Sequence, residues 1–161
     1  MEPNLYSIDA TKADADALLA HWRWLVPRSM HPIELTLFGD WFLTDEAGAI
    51  WFLDTARGDV HPIAATGDEF ASLRTSERAL TDWYKAPLAD ACRSRGLSPG
   101  QGECLSYVIP PPLGGDLTLE NIEVSSHALH QGLLAQAHFR NREHPDGTPI
   151  RTFVDKRKGD G

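Results

Sequence analysis

The fold is decided by residues 35–64, which read LTLFGDWFLTDEAGAIWFLDTARGDVHPIA. Leu, Phe, Trp and Thr crowd the first part of this stretch, and Gly and Asp interrupt it at residues 45–48 and 55–59. Short apolar runs between such turns are typical of antiparallel strands. We therefore predict a three-strand meander, with strands at residues 35–44, Ile50–Asp54 and 60–64.

Aromatic residues occupy neighbouring positions in this meander, at Trp41 and Phe42 and again at Trp51 and Phe52. Successive side chains of a strand point to opposite faces of the sheet, so both faces carry aromatics. One set belongs to the core. We expect a helix to cover the other set, and the alternative is an exposed aromatic binding surface.

Helical patterns lie on both sides of the meander. Thr11 is predicted to cap a helix over residues 12–26, whose apolar positions recur at helical spacing. Residues 66–69 read as a capping box, and Ser125 or Ser126 is suited to cap a last helix that reaches about Asn141. The remaining predictions are helices at 76–84 and 87–96, strands at 103–109 and 119–124, irregular structure at 110–115 and a turn at 146–149.

Together these elements predict the α+β class, with an antiparallel sheet made of the meander plus one or two later strands and packed with helices. The chain has 161 residues, of which 42% are apolar and 24% charged, as in one globular domain. We expect residues 1–161 to form that single domain, with a flexible tail at 155–161. The apolar runs are too short to cross a membrane, and residues 1–16 lack the features of a secretory signal.

Cysteine content and charge restrict the setting and the partners. The two cysteines, Cys92 and Cys104, show no metal-like pairing, which favours free thiols and a cytoplasmic location. A formal net charge of -8 disfavours nucleic acid as a partner. Residues 39–69 contain seven acids and one base, and residues 96–139 contain four acids and no Lys or Arg. Such asymmetry steers a basic partner onto one side of a protein.

Catalytic patterns are weak in this sequence. His127, His130 and His138 are grouped in the last predicted helix, but no HExxH or CxxC pattern accompanies them. No Gly-x-Ser-x-Gly motif occurs, and Gly100-Gln-Gly102 precedes a predicted strand, whereas a phosphate loop follows one. We therefore expect no catalytic residue, no metal and no cofactor, and we expect the protein not to be an enzyme.

A longer motif carries a family resemblance. The pattern Gly-x-Cys-x-x-Tyr-x-Ile-Pro-Pro-x-Leu-Gly-Gly runs from Gly102 to Gly115, and residues 120–123 and 134–138 follow it. With residues 38–43, 51–54 and Gly58, these positions resemble the C-terminal domain of the type VI secretion DNase-immunity family over about residues 35–142. The resemblance implies a bacterial immunity protein that binds and neutralises a cognate toxin, a type VI secretion nuclease effector. The acidic charge favours a toxin with a basic surface.

The residues proposed to contact that partner are acids in the hairpin turns and in the loop after the proline run, because loops on a rigid scaffold commonly bear function. These acids are Asp40, Asp45, Glu46, Asp54, Asp59, Asp116, Glu120 and Glu123. Two alternatives stay open: an interaction module without a toxin, and a metal-dependent enzyme that uses one of the three histidines. A homodimer is also left open, and neither the identity nor the activity of the toxin follows from the sequence.

Overall fold

A computed structural model of the chain describes residues 5–8 and 14–142. The predicted cap at Thr11, the turn at 146–149 and the tail at 155–161 lie outside the described residues. The strands are β1 Ser7–Ile8, β2 His31–Thr36, β3 Trp41–Thr44, β4 Ile50–Asp54, β5 Asp59–Ala64, β6 Glu103–Tyr107 and β7 Ile122–Ser126. The helices are α1 Ala15–Ala20, α2 Gly67–Leu73, α3 Glu77–Asp82, α4 Ala86–Ser94 and α5 His127–Asn141.

The first five strands form one antiparallel sheet in the order β1-β2-β3-β4-β5. The prediction of one strand over residues 35–44 was wrong, because the chain turns back within it. The backbone N–H of Thr36 donates to the carbonyl of Asp40 at 2.8 Å, and Gly39 adopts a φ of +78°. A left-handed residue closes this turn, and glycine adopts that conformation without steric cost.

The two later strands form a separate antiparallel sheet, with Leu105 opposite Val124. A backbone hydrogen bond connects it to the turn after β2 in the main sheet, from the N–H of Leu105 to the carbonyl of Leu37 at 2.7 Å. The predicted α+β class is confirmed. What the sequence did not indicate is that the later strands pair with each other and make a second sheet.

Both faces of the main sheet are buried, as expected from its aromatic pattern. On one face, Trp41 and Leu53 pack with Trp22 in the larger core cluster. On the other face, Phe42 is buried in contact with the ring of Phe70 from α2. Since aromatic side chains bury the largest apolar areas, these two clusters fix the sheet between its flanking segments.

A buried ion pair connects α2 to the sheet under the second cluster. Nη2 of Arg74, at the end of α2, donates to Oε1 of Glu34 on β2 at 2.8 Å, and both side chains are below 9% exposed. The hydroxyl of Tyr84 donates to Oε2 of the same carboxylate at 2.6 Å. Glu34 therefore has hydrogen-bond partners for both oxygens, which buried charges require.

The first helix is shorter than the predicted 12–26 segment. Asp14 caps α1, its Oδ1 accepting from the N–H of Ala17 at 3.2 Å, and the helix ends at Ala20. Bonds such as Leu25 N–H to the carbonyl of Trp22, at 2.8 Å, then continue the chain as tight turns. These turns bury Trp22 and Val26. The apolar periodicity of the sequence alone does not distinguish such turns from a continuing helix.

The other helices follow their local signals. Thr66 caps α2, Ser76 caps α3 and Ser126 caps α5, each through its side-chain oxygen. The proline run contains a short 3-10 helix at Pro111–Leu113, where the prediction was irregular structure. Proline fixes φ near the helical value, which suits it to such a turn. None of the described helices is long and apolar enough to span a membrane.

Candidate partner-binding surface

A buried chain of hydrogen bonds lies where α5 packs against both sheets. We call it the Asp40 centre; its members are Asp40, Thr55, Lys85, Ser106 and His130. Oδ1 of Asp40 accepts from the hydroxyl of Thr55 at 2.6 Å and from its backbone N–H at 2.8 Å, and Oδ2 accepts from Nζ of Lys85 at 2.9 Å. The ring of His130 bridges the hydroxyls of Thr55, 3.1 Å from Nε2, and Ser106, 2.7 Å from Nδ1.

The hydrogen bonds assign the tautomer of His130. The hydroxyl proton of Thr55 goes to Asp40, so that hydroxyl accepts from Nε2–H of the ring. Nδ1 then carries the lone pair and accepts from the hydroxyl of Ser106. Complete burial, together with the nearby His127 and Lys85, lowers the pKa of His130 to about 3. The ring is therefore neutral near pH 7 and acts as a rigid connector.

Charge in the centre is balanced locally. Asp40 is 0% exposed, and the side chain of Lys85 is 11% exposed. Burial works to lower the pKa of Lys85, but the charges of Asp40 and Asp54 outweigh it and the pKa is raised. Burial, followed by the charge of Asp40, raises the pKa of Asp54. Oδ1 of Asp54 accepts from the N–H groups of Ala56 and Arg57, which closes the turn after β4.

Two glycines let α5 approach the main sheet closely. A Cβ on Gly39 would lie 2.6 Å from Cδ2 of His130, and one on Gly58 would lie 2.3 Å from Nδ1 of His138. Nε2 of His138 lies 3.0 Å from the carbonyl oxygen of Thr55, so the ring is held at this contact. Gly39 and Gly58 belong to the motifs that carry the family resemblance, and close packing against the histidines of α5 is their structural role.

The geometry of the Asp40 centre is that of a structural network. Ser106 is 7% exposed, whereas a nucleophile needs access to its substrate. His127 is also buried, and neither of its ring nitrogens has a hydrogen-bond partner among the residues that the structure describes. Across residues 5–8 and 14–142, no group of three or more His, Cys, Asp or Glu side chains is placed to hold a metal ion.

The predicted contact acids fall into different environments. Asp40 is buried in the Asp40 centre, and Asp54 is buried at the end of β4. Asp45 is partly exposed and organises its own turn: Oδ2 accepts from Nε1 of Trp51 at 2.9 Å, and that bond helps to lower the pKa of the Asp45 carboxyl. Glu46, beside it, is exposed. Asp59 is partly exposed and lies 3.6 Å from Nε of Arg57, so its charge is partly compensated.

The remaining three acids, Asp116, Glu120 and Glu123, are exposed and lie in or next to one loop. We call residues 108–123 the acidic loop. Asn121 holds its two ends together: Oδ1 accepts from the N–H of Ile109, and Nδ2 donates to the carbonyls of Ile109 and Asp116, each at 2.9 Å. A reciprocal amide clamp of this kind makes a long loop compact.

Exposed apolar side chains accompany these acids, and the sequence reasoning missed them. Val108 is 55% exposed and Ile109 52% exposed, while Leu113 and Leu117 are 43% and 48% exposed. A concentration of exposed apolar residues in one loop marks an interaction surface. The sequence held one signal for this surface: apolar residues continue past the end of β6 into a loop rich in proline and glycine, where no strand can form.

An open groove of about 980 Å³ lies elsewhere, between the β4–β5 hairpin and helices α3 and α4. Its walls carry both signs of charge, with Arg78 and Lys85 as well as Asp54 and Asp82. Leu117 of the acidic loop reaches one side of it. Because its charge is mixed, the groove lacks the excess of acids that we expect to attract a basic partner.

Comparison with known proteins supports the family resemblance over part of the chain. Residues 64–138 match the family model described as T6SS immunity protein Tdi1, C-terminal. No curated protein matches the chain. The match includes the acidic loop and most of α5 but starts at the end of β5, so the meander motifs lie outside it. Residues 64–138 of this chain are therefore similar to the family described as T6SS immunity protein Tdi1, C-terminal.

Proposed function

We propose that this protein is a cytoplasmic bacterial immunity protein that binds and neutralises a cognate toxin, a nuclease effector of type VI secretion. The observation that carries the proposal is the family match over residues 64–138. On this proposal the chain acts by binding, with no catalytic step, metal or cofactor of its own, and nucleic acid is not its partner.

Charge supports a basic protein as the partner. The net charge is -8, and residues 96–139 contain no Lys or Arg. A nuclease must hold phosphates, so the surface around its active groove is commonly basic. Opposite charges raise the association rate, while desolvated apolar contacts slow dissociation. A cell that makes a lethal nuclease needs both properties in its inhibitor.

The acidic loop is the best candidate for the contact surface. It combines three exposed acids with four exposed apolar side chains, so it offers both steering charge and area to bury. Glu46, with the partly exposed Asp45 and Asp59, adds acidic charge from the hairpin turns. We leave Asp40 and Asp54 out of this surface, since both are buried and hydrogen-bonded internally.

The test is co-expression with the product of the adjacent gene, followed by size-exclusion chromatography and calorimetry. We expect a stable complex and protection of cells from the toxin. The charge reversal Glu120→Lys with Glu123→Lys should weaken binding about tenfold or more, mainly through slower association that depends on salt. The matched control is Asp68→Lys with Glu77→Lys, which changes net charge equally at exposed positions on α2 and α3.

Two outcomes would contradict the proposal. If neither binding nor protection is seen with the wild-type chain, the toxin role is wrong and an interaction module without a toxin becomes the better explanation. If the purified protein contains stoichiometric metal and turns over a substrate, and His127→Ala abolishes both, the enzymatic alternative replaces it. Equal loss of affinity in the loop variant and its control would reject the acidic loop as the contact surface.

A further inference from the structure

The ladder of the second sheet shows which backbone groups of β7 point outward. The N–H of Val108 donates to the carbonyl of Asn121, and the N–H of His127 donates to that of Gly102. These two bonds flank the paired strands, in which Leu105 lies opposite Val124. Because bonded and non-bonded pairs alternate in an antiparallel ladder, positions 122, 124 and 126 direct their N–H and C=O groups away from β6.

The two outer edges of this sheet are in different states. On β6, the outward N–H of Leu105 donates to the carbonyl of Leu37, which joins that edge to the main sheet. On β7, the N–H of Ile122 donates to the carbonyl of Leu119. Within the described residues, the N–H and C=O of Val124, the C=O of Ile122 and the N–H of Ser126 have no hydrogen-bond partner. β7 thus presents an open strand edge.

The two outer strands of the main sheet, as far as the structure describes them, offer a shorter or an interrupted edge. β5, the last strand of the main sheet, contains Pro62, which cannot donate to an added strand. β1, at the opposite edge, has two residues in the part of the chain that the structure describes. β7 has five residues and contains neither proline nor lysine, the usual residues that protect an exposed edge. A two-stranded sheet is also marginal by itself and gains from a third strand.

We propose that a basic, extended segment of the partner protein adds to β7 as a third antiparallel or parallel strand. The proposal rests on the toxin-binding function proposed above and specifies how that partner docks. Backbone bonds to Val124 and its neighbours supply affinity, as in other cases of strand addition. Glu123 is exposed on β7, Glu120 shortly precedes it, and residues 96–139 contain no Lys or Arg. A Lys or Arg side chain on the added strand would therefore lie next to negative charge.

The test compares two substitutions at one position. Val124→Pro removes the outward N–H without removing a ladder bond to β6, whereas Val124→Ala truncates the same side chain and keeps that N–H. Against the effector encoded by the adjacent gene, we expect Val124→Pro to bind at least about tenfold more weakly than Val124→Ala, the effect of losing one interfacial hydrogen bond and blocking the strand. In the wild-type complex, amide exchange at Val124 and Ser126 should slow at least about tenfold.

The results separate this proposal from the function on which it rests. Absence of any wild-type complex contradicts the toxin-binding function itself. Strand addition is overturned if the effector binds both variants equally and amide exchange at Val124 does not change in the wild-type complex. Toxin binding itself would remain supported by that result. If circular dichroism shows that Val124→Pro is unfolded, the exchange measurement on the wild-type complex decides alone.

Discussion

Removal of the Asp40 carboxylate tests whether this acid supports the fold or contacts a partner. Asp40 is 0% exposed and accepts three hydrogen bonds, two from Thr55 and one from Lys85, at 2.6 to 2.9 Å. Asp40→Ala leaves the Lys85 ammonium, 11% exposed, without its bonded counter-ion. Breaking a buried pair in this way costs about 3–5 kcal/mol. We expect the lower end of that range, because Asp54 also acts on Lys85 by its charge.

The measurement is urea unfolding at pH 7 together with thermal unfolding. A loss of about 3 kcal/mol lowers the melting temperature of a domain of this size by roughly 6–12 °C. The control Glu46→Ala removes an exposed acid from the next hairpin turn and should change stability by less than about 0.5 kcal/mol. Adding Lys85→Met to Asp40→Ala should recover part of the loss, because it removes the uncompensated charge.

The reasoning would be refuted if Asp40→Ala lowered the free energy of unfolding by less than about 1 kcal/mol while abolishing effector binding. Asp40 would then be a contact residue that opens to the partner. Failure of Lys85→Met to recover any stability would show that the Asp40–Lys85 pair is not the source of the loss.

Two further predictions concern α5. In urea unfolding, Gly58→Ala should destabilise the protein by at least about 1 kcal/mol more than Gly48→Ala. Both glycines have positive φ, but only a Cβ at position 58 would meet a side chain, at 2.3 Å from Nδ1 of His138. Equal losses would show that His138 moves aside freely. Acidification should destabilise the wild type more than His130→Asn. The pKa of His130 is about 3 in the folded state, below the unfolded value of about 6.5. The contribution of the neutral ring to the free energy of unfolding is therefore present above pH 6.5 and is lost as the pH falls towards 3. Parallel pH curves for the two proteins would contradict the neutral buried ring.

Local signals in the sequence were sufficient for many elements. Thr66 and Ser126 satisfy the first backbone N–H groups of their own helices, so their role is readable within a few residues. The turn at Asp45 depends likewise on its own side chain, which accepts from the N–H groups of Ala47 and Ala49. The apolar run of residues 35–44, by contrast, concealed the turn at Gly39.

The candidate surface could be predicted only in part. The acids of the loop were identified from charge, because nothing in residues 96–139 offsets them. The exposed apolar residues beside them were not, since apolar residues after a strand are ordinarily assigned to the core. The open edge of β7 required knowledge of which strand pairs with which, and pairing partners are not written in either strand alone.

By itself, the sequence determined the α+β class, the helix caps at Thr66 and Ser126, the acidic character and the motif inside the stretch that matches the T6SS immunity family model. Only the tertiary structure decided which acids are available to a partner. Asp40 lies in a turn and Asp54 ends β4, next to turns like those of the exposed acids, but the Asp40 carboxylate can be buried because Lys85, 45 residues further along the chain, supplies the opposite charge. A buried charge is stable only next to a partner, and the partner's position depends on the folding of the whole chain.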